Sequence, residues 1–493
     1  MASTKTQPAR GMRDFLPTDV RKREYVIGVI KEVYERYGFE PLETPAVENI
    51  ETLLGKYGEE GNQLIFKILK RGVHESTGEA DLALRYDLTV PLARVVAEYQ
   101  NEFPRFLKRY QIQPVWRADR PARGRFREFY QCDVDIVGSR SMVVETELCT
   151  AAGEALTSLG FEDFTIRLNH RQALTGLLLS AGVPLEKHSV TLICLDKLDK
   201  LGPEGVEKEL LERGIGSGPA EALLNFFADL TSLERAAEIA TGDNYEDTRD
   251  ALNTATIGRL VEAVGNSEIG AQGINELVMI LAYSKASGIS SRIKIDPSLA
   301  RGLSYYTGAI FEISVPDLAG SLGGGGRYDN LMGMFCNREI PACGFSLGLE
   351  RIMVLMSERS MFSPNLTSRF ADVMIAISNE EFVPKALSIA QNLRSSDPKL
   401  SVIVYPQPSD KIHKQRAYRR AMKTALLVTV DERGQTWIEN EQVSVEEIPN
   451  RVGEMLPSVI ATLRKEKELV RDSSDRLKRV IENKAGDPSE GDE

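Results

Sequence analysis

The chain has 493 residues, 42% of them hydrophobic and 27% charged, and a net charge of -11. This composition is typical of two to four globular domains, and it excludes a fibre or a disordered tail. The acidic balance argues against a protein whose whole surface binds nucleic acid or anionic membrane, so any polyanion must be bound by local basic patches.

Features that the sequence lacks bear on the cellular compartment of the protein and on the redox state of its cysteines. No apolar run reaches the roughly 18 residues that span a bilayer, and the N-terminal segment lacks the apolar core of a signal peptide. We therefore expect a cytoplasmic location and no membrane partner. The five cysteines form no CxxC pair and have no histidine at metal-ligand spacing, so we expect reduced thiols and no protein-bound zinc.

The first part of the chain, 1–185, predicts a mixed sheet flanked by helices. Apolar residues recur at helical spacing between Val26 and Tyr37, and Gly38 is a typical helix end. The segment FEPLETPAVENIETL predicts a proline-interrupted strand and then a helix. Strand-like runs dominate 82–138, and a further helix is expected from about Val144 to Leu159.

Three further regions and a tail follow. The acidic segment 186–288 predicts a helical insertion, and strand patterns resume in 289–365, so these residues complete the first domain. Alternating strands and helices in 366–465 predict a separate α/β domain. The end, 466–493, reads as a charged helix and an acidic tail. The predicted fold class is α/β.

The stretch RADRPARGRFREFYQCDVDIVG, residues 117–138, carries a dense arginine cluster between two strand-like runs, which predicts an antiparallel hairpin. The cluster comprises Arg117, Arg120, Arg123, Arg125 and Arg127. Arginine forks bind phosphate oxygens bidentately, which favours a polyphosphate ligand. Alternation along the strand places Gln131 and Asp135 on one face. The alternative is a charged, solvated hairpin.

Two other stretches supply polar groups suited to an amino acid. In LRYDLTVPLAR, Asp87 and Thr89 are expected on one strand face, where they form an acceptor set for an ammonium group; a helix N-cap explains Asp87 equally well. In ARGLSYYTGAIFEI, Arg301 precedes the pair Tyr305 and Tyr306 on an expected strand. Tyrosine pairs in strands also serve simply to fill a core.

Glycines mark two more places. The run LGGGGRYDNL requires close backbone approach, either to a ligand or to another strand, and it lacks the pattern of a P-loop. In ACGFSLGLERIMVLM a strand runs into a helix whose first turn holds Arg351. A cation at a helix N-terminus is favourable only beside an anion, so Arg351 is a candidate phosphate ligand.

These stretches together resemble a known family. The arginine-rich hairpin and GFSLGLERI resemble motifs 2 and 3 of class II aminoacyl-tRNA synthetases, and FEPLETPAVENIETL resembles motif 1, which builds the dimer interface in that class. RYDLTVPLAR and RGLSYYTG are similar to the histidine-binding signatures of histidyl-tRNA synthetases. The resemblance extends over nearly the whole chain, with Ser304 standing where members commonly have aspartate and a shorter motif 2 loop than in some relatives.

The resemblance implies roles for individual residues. Arg301 and Arg117 would be catalytic. The residues expected to bind histidine are Asp87, Thr89, Arg117, Gln131, Asp135, Arg301, Tyr305 and Tyr306. Those expected to bind ATP are Arg117, Arg125, Arg127 and Arg351. The expected tRNA contacts are Arg120, Arg123, Lys411, Lys414 and Arg416, the last three on the basic helix DKIHKQRAYRRAMK. The segment RFLKRYQ adds a further expected basic patch.

The implied function is activation of L-histidine by ATP with Mg²⁺, then transfer of histidine to tRNA(His) by a homodimer. The implied fold is a catalytic domain with a mainly antiparallel sheet, a helical insertion and an anticodon-binding domain. A carboxylate is already ionised at pH 7, so positioning and charge neutralisation would supply the catalysis. The alternatives are a silent histidine-sensing paralogue and a prolyl or threonyl enzyme of the same class.

Overall fold

The computed structural model describes residues 6–72, 77–241, 245–300, 305–336, 338–363, 366, 371–409 and 411–462. The chain divides into two compact units, Met1–Met361 and Phe362–Glu493. The predicted catalytic residue Arg301 and the predicted tail 466–493 lie outside the described residues.

Eleven strands form the sheets of the first unit's described part. They are β1 (Glu40–Pro41), β2 (Val47–Asn49), β3 (Lys67–Leu69), β4 (Ala80–Leu84), β5 (Leu107–Trp116), β6 (Glu128–Val137), β7 (Thr165–His170), β8 (Ile293–Ile295), β9 (Ala309–Ser314), β10 (Gly323–Arg327) and β11 (Ala342–Gly348). Eight of them make one sheet in the order β1-β5-β6-β11-β10-β9-β7-β8, and β2-β4-β3 make a small second sheet. In the large sheet only β1 with β5 and β7 with β8 run parallel, so the predicted mixed, mainly antiparallel sheet is confirmed.

The helices of the first unit lie around this sheet. They are α1 (Pro17–Arg36), α2 (Ile50–Leu53), α3 (Gly58–Gln63), α4 (Thr89–Glu98), α5 (Val143–Ser158), α6 (Arg171–Ser180), α7 (His188–Leu195), α8 (Leu198–Glu212), α9 (Ser217–Thr241), α10 (Tyr245–Val264), α11 (Glu268–Ala286) and α12 (Leu349–Glu358). Within 186–288, the described residues are mainly helical, as predicted. Among the described residues, no helix has the length and apolar character that crossing a membrane requires.

The two faces of the large sheet differ in chemistry. On β6 the side chains of Cys132, Val134 and Ile136 are buried on the face that α1, α5 and α12 cover. Tyr34 of α1 donates its hydroxyl to the Cys132 carbonyl at 3.3 Å. Because side chains alternate along a strand, Gln131 and its polar neighbours at every second position point to the opposite face. That face carries the candidate site.

Two local predictions were wrong. Asp87 and Thr89 do not share a strand face, because β4 ends at Leu84 and Thr89 begins α4. Tyr305 and Tyr306 do not lie on a strand either, because β9 begins only at Ala309. Both rings pack into one cluster with their centroids 5.0 Å apart, which the alternation of side chains along a strand would prevent.

The second unit contains a five-stranded sheet in the order β13-β12-β14-β15-β16. Its strands are β12 (Val373–Ile377), β13 (Val402–Val404), β14 (Leu426–Val430), β15 (Thr436–Ile438) and β16 (Glu441–Gln442), and its helices are α13 (Val383–Ser396), α14 (Ile412–Ala421) and α15 (448–462). Strand β12 lies parallel to β13 and β14. The predicted α/β alternation is confirmed.

Candidate active site

Asp87 lies in the connection from β4 to α4 and is fully buried. Its Oδ1 accepts hydrogen bonds from the Tyr57 hydroxyl at 2.9 Å and from the Val90 backbone N–H at 3.1 Å, and its Oδ2 accepts from the Tyr305 hydroxyl at 3.4 Å. The Val90 bond caps the first turn of α4, as the N-cap alternative predicted. Burial raises the pKa of Asp87, and these donors together with Arg117 oppose the rise.

Thr89 and the tyrosine pair surround the same carboxylate. The Thr89 hydroxyl lies within hydrogen-bonding reach of Tyr305, whose pKa burial raises well above the usual value. The Tyr305 ring packs between Tyr306 and Tyr328, with centroid distances of 5.0 Å and 5.9 Å. Three of the predicted histidine-binding residues, Asp87, Thr89 and Tyr305, are therefore brought together around one buried pocket wall.

Asp135 forms a second anionic centre on β6. It lies 2.9 Å from the Arg109 guanidinium, and the Tyr328 hydroxyl donates to its Oδ1. Burial raises the pKa of Asp135, whereas Arg109 and Tyr328 lower it. Sequence reasoning missed both partners, because their proximity depends on strand register: Arg109 pairs with Asp135 across β5 and β6.

On the polar face of β11, two of the positions are glycines, and Ser346 supplies the one side chain between them. Gly344 pairs with Asp135 and Gly348 with Gln131. A Cβ atom at Gly344 would lie 1.9 Å from Asp135 Oδ1, so only glycine leaves room for that carboxylate. The amide of Gln131 donates to the Ser346 hydroxyl at 3.0 Å. The result is a flat floor edged by fixed polar groups, which suits a small polar ligand.

The sequence left two explanations open for the glycine run of β10, a close approach to a ligand or to another strand. The structure supports the second. A Cβ atom at Gly325 would lie 2.0 Å from the Gly344 carbonyl oxygen of the adjacent strand. The approach is therefore between strands. Arg327 at its end forms a bidentate pair with buried Glu145 at 2.6 Å and 2.9 Å, an interaction within the protein core.

Arg117 is the arginine best placed for a ligand. Its guanidinium carbon lies 4.3 Å from the Tyr86 ring centroid and 5.1 Å from that of Phe129, and its Nε donates to the Tyr86 carbonyl at 3.0 Å. Stacking between two rings fixes the plane of the fork. Its Nη atoms form no ion pair or hydrogen bond with any residue that the structure describes.

The other arginines of the hairpin loop mostly bind the protein itself. Arg125 pairs with Asp119 at 3.2 Å, and the Nε of Arg127 donates to the Asp119 carbonyl at 3.1 Å. Arg123 forms an exposed ion pair with Glu358. Arg120 is exposed and has no ion pair within the described part of the chain.

Arg351 lies in the first turn of α12, as predicted, where its Nη1 donates to the Ser321 carbonyl. The side chain packs against Gly124 of the hairpin loop and Gly320, both of which have positive φ angles. The fold thus places Arg351 beside the arginine-rich loop, although these two motifs are distant in the sequence.

The two predicted basic patches differ in outcome. Lys411, Lys414 and Arg416 on α14 are exposed, and none forms an ion pair with a described residue. The patch RFLKRYQ was a wrong prediction in part, because its Arg109 is 1% exposed and bound to Asp135, so it is not available to a polyanion.

Known proteins resemble the chain over nearly its full length. Residues 11–352 match the family model described as histidyl-tRNA synthetase. A histidine–tRNA ligase of Gloeobacter violaceus is 39% identical over 476 residues, covering 92% of this chain and 96% of the relative. One of Christiangramia forsetii is 40% identical over 428 residues, covering 83% and 88%. The crystal structure of histidyl-tRNA synthetase from Nostoc sp. PCC 7120 has a TM-score of 0.70 at 27% identity and covers 92% of this chain and all of that one.

The mixed sheet carries glycines on its polar face, and buried carboxylates and arginines lie beside them. Together with these matches, this arrangement defines an aminoacyl-tRNA ligase. The likeness extends beyond the fold, because the sequence matches cover nearly the whole chain. The chain belongs to the histidyl-tRNA synthetase family.

Proposed function

We propose that the enzyme joins the carboxylate of L-histidine to the α-phosphorus of ATP, releasing pyrophosphate, and then passes the histidyl group to the 3′ end of tRNA(His). The observation that best supports this proposal is the pair of buried carboxyl groups of Asp87 and Asp135, with the stacked guanidinium of Arg117 beside Asp87. Anions at one end and a cation at the other suit an amino acid whose carboxylate attacks a phosphate.

Each predicted residue receives a role in this proposal. Asp87, Thr89 and Gln131 bind the amino group, while Asp135, Tyr305 and Tyr306 enclose the imidazole ring. Arg117 binds the reacting carboxylate and the α-phosphate, and Arg351 the γ-phosphate. Arg125 and Arg127 give up their internal acceptors for ATP. Arg301 neutralises charge that develops in the transition state.

Specificity follows from the fixed groups around Asp135. The Asp135 carboxylate, whose pKa burial raises and Arg109 lowers, accepts an imidazole N–H, and a buried phenol serves the other nitrogen. An amino acid without both nitrogens leaves these groups unpaired, which can discriminate by about 10⁴ to 10⁵. Magnesium would arrive on the ATP phosphates, because this ion usually keeps several water ligands and binds nucleotide sites through substrate phosphates.

The proposal extends to assembly and tRNA. We assign dimerisation to residues 39–53; the exposed apolar side chains of Val47, Leu54 and Leu69 near this segment support it. Arg120 and Arg123 contact the acceptor end of tRNA, and the exposed basic face of α14 contacts the anticodon. Light scattering of the purified protein at micromolar concentration tests the dimer; a monomer would contradict it.

The deciding test is histidine-dependent exchange of pyrophosphate into ATP. We expect exchange with histidine and none with proline or threonine, and binding of histidine without exchange would contradict the proposal. Arg301→Ala should lower exchange by orders of magnitude while histidine binding changes less than about tenfold. Replacing Lys411, Lys414 and Arg416 together by glutamine should raise the KM for tRNA and leave exchange unchanged.

A further inference from the structure

Asp133 lies at the centre of the polar face of β6, and the proposed function gives it no role. It is 3% exposed and stands between Gln131 and Asp135 on the same face of the strand. In the sheet register it pairs with Gln111 of β5 and Ser346 of β11. It therefore lies between the groups assigned to the amino group and the imidazole of histidine.

Asp133 differs from the two other buried carboxylates in having no counter-charge of its own. Asp135 has Arg109 at 2.9 Å, and Asp87 accepts three hydrogen bonds. Asp133 forms no ion pair with any described lysine, arginine or histidine, and its Oδ1 is buried without a hydrogen-bond donor among the described residues. A buried anion in this state is costly unless it gains a proton or a cation.

A second unpaired acceptor lies beside it. The Gln131 amide nitrogen is bound to Ser346, so the amide oxygen points elsewhere, and this oxygen is also buried without a donor in the described part of the chain. Two acceptors two residues apart, one of them a carboxylate, fit a group with several N–H donors and a positive charge. A primary ammonium group has both properties. A water molecule would satisfy the hydrogen bonds but not the charge.

We infer that Asp133 is a second carboxylate counter-charge of the substrate's α-ammonium group, besides Asp87, and that it exchanges a proton for that group on binding. Below about pH 7 the carboxyl group of the free enzyme carries a proton. In the complex the carboxylate pairs with the ammonium and the proton leaves to solvent, so one proton is released for each ligand bound through a protonated Asp133. This inference rests on the proposed function and extends it to a residue that the family resemblance left unassigned.

The electrostatics agree with this exchange. Burial is the largest cause that raises the pKa of Asp133, to about 7; Asp135 and Asp87 also raise it, whereas Arg109 and the Ser346 hydroxyl lower it. The other described titratable groups that interact with Asp133 are Tyr34, Arg85, Cys132 and Tyr306. Below pH 7 the protonated form must first lose its proton, so affinity for the ammonium falls as the pH falls. Above pH 7 the carboxylate is already formed and affinity reaches a plateau.

Three ligands separate the amino group from the rest of histidine. They are histidine, histidinol, which keeps the amine without the carboxylate, and 3-(imidazol-4-yl)propionate, which lacks the amine. We expect Asp133→Asn to raise the Kd of the first two about ten- to hundredfold at pH 8, the usual range for a charge-assisted hydrogen bond. The Kd of the amine-free ligand should change less than about threefold.

The pH dependence supplies an independent measurement. The ratio of histidine Kd between variant and wild type should shrink as the pH falls from about 8 to 6, and the ligand's own imidazole titration cancels in this ratio. Calorimetry of the wild type in buffers of different ionisation heat should show more proton release near pH 7 with histidine than with 3-(imidazol-4-yl)propionate, which carries the same imidazole without the amine. This measurement needs no variant, so it decides the question even if Asp133→Asn fails to fold. Asp372→Asn, a buried aspartate of the second unit, serves as the matched control and should leave all three Kd values unchanged.

The outcomes are distinct. Equal weakening of all three ligands would overturn the inference, because Asp133 would then serve the imidazole or the fold. Unchanged affinities, or no greater proton release by the wild type with histidine than with the amine-free ligand, would overturn it too. If the wild type shows neither histidine binding nor exchange, the proposed function itself fails; exchange with the wrong ligand pattern contradicts only the role of Asp133.

Discussion

The polar floor of the large sheet and the arginine-rich loop between β5 and β6 differ in how their charged side chains are partnered. On the floor, Asp87 and Asp135 are buried and each is held by donors from other elements. In the loop, Arg123 and Arg125 are exposed and paired with acids of the protein. In the proposed function, the groups around histidine are therefore in place before the ligand arrives, whereas the loop would exchange its internal partners for phosphate or tRNA.

This difference predicts two kinds of response to substitution. Removing a partner on the floor leaves a buried charge, so folding stability falls along with activity. Removing a partner in the loop exchanges one solvated interaction for another, so stability changes little and ligand binding changes instead.

The largest expected effect is on folding. Arg109→Met removes the cation that pairs with Asp135, and we expect the free energy of unfolding to fall by about 3 to 5 kcal/mol because an uncompensated carboxylate stays buried. Urea denaturation measures this change. The control Arg120→Met alters an exposed arginine and should change stability by less than about 0.5 kcal/mol. A loss below about 1 kcal/mol for Arg109→Met would break the proposed distinction between floor and loop.

The next effect is on catalysis alone. Arg117→Lys keeps the charge but loses the planar fork that Tyr86 and Phe129 hold, so we expect kcat/KM for exchange to fall about 10² to 10³-fold with little change in stability. Arg120→Lys, a matched exposed neighbour, should stay within about twofold of the wild type. Comparable exchange by both variants would mean that the stacked geometry of Arg117 is unimportant.

A further prediction concerns Glu350 of α12, on the helix-covered face of the large sheet. Burial raises its pKa to about 7, although the Tyr130 N–H lowers it. Because the folded-state value lies above the unfolded value of 4.5, the wild type loses stability as the pH rises from about 4.5 through 7. Glu350→Gln lacks this loss, so relative to wild type it should gain about 2 kcal/mol between pH 5 and pH 8. Urea denaturation at both pH values provides the test, and a pH-independent difference would contradict it.

The smallest effect concerns the exposed pair in the loop. Glu358→Gln releases Arg123, and stability should change little because both side chains are roughly half exposed. The KM for tRNA should fall about two- to threefold at low salt and not at high salt. Glu339→Gln, which breaks the exposed pair with Arg140, is the control and should leave that KM unchanged. A salt-independent effect would argue against a tRNA contact by Arg123.

Local patterns predicted the elements of both units, because helix periodicity and strand alternation act over a few residues. Gly38 and Gly160 end their helices with positive φ angles, as their positions after α1 and α5 indicated. Strand register, in contrast, could not be predicted from local patterns. Arg109 was grouped with a basic patch because nothing near it in sequence shows that it lies opposite Asp135, and Tyr328 reaches Asp135 only because β10 pairs with β11. The family resemblance supplied the proposed ligand-binding residues, and the structure adds the groups that contact them.

Gly344 carries one more consequence. At Gly344 the strand has no side chain, and the Asp135 carboxylate occupies the space that a Cβ atom would fill, so a bound amino acid would pack on that carboxylate in place of a layer of side chains. Ligand occupancy and folding are then thermodynamically linked: histidine at 100 times its Kd should add about 2.7 kcal/mol to the stability of the first unit. The melting temperature of that unit therefore becomes a direct gauge of how full the pocket is.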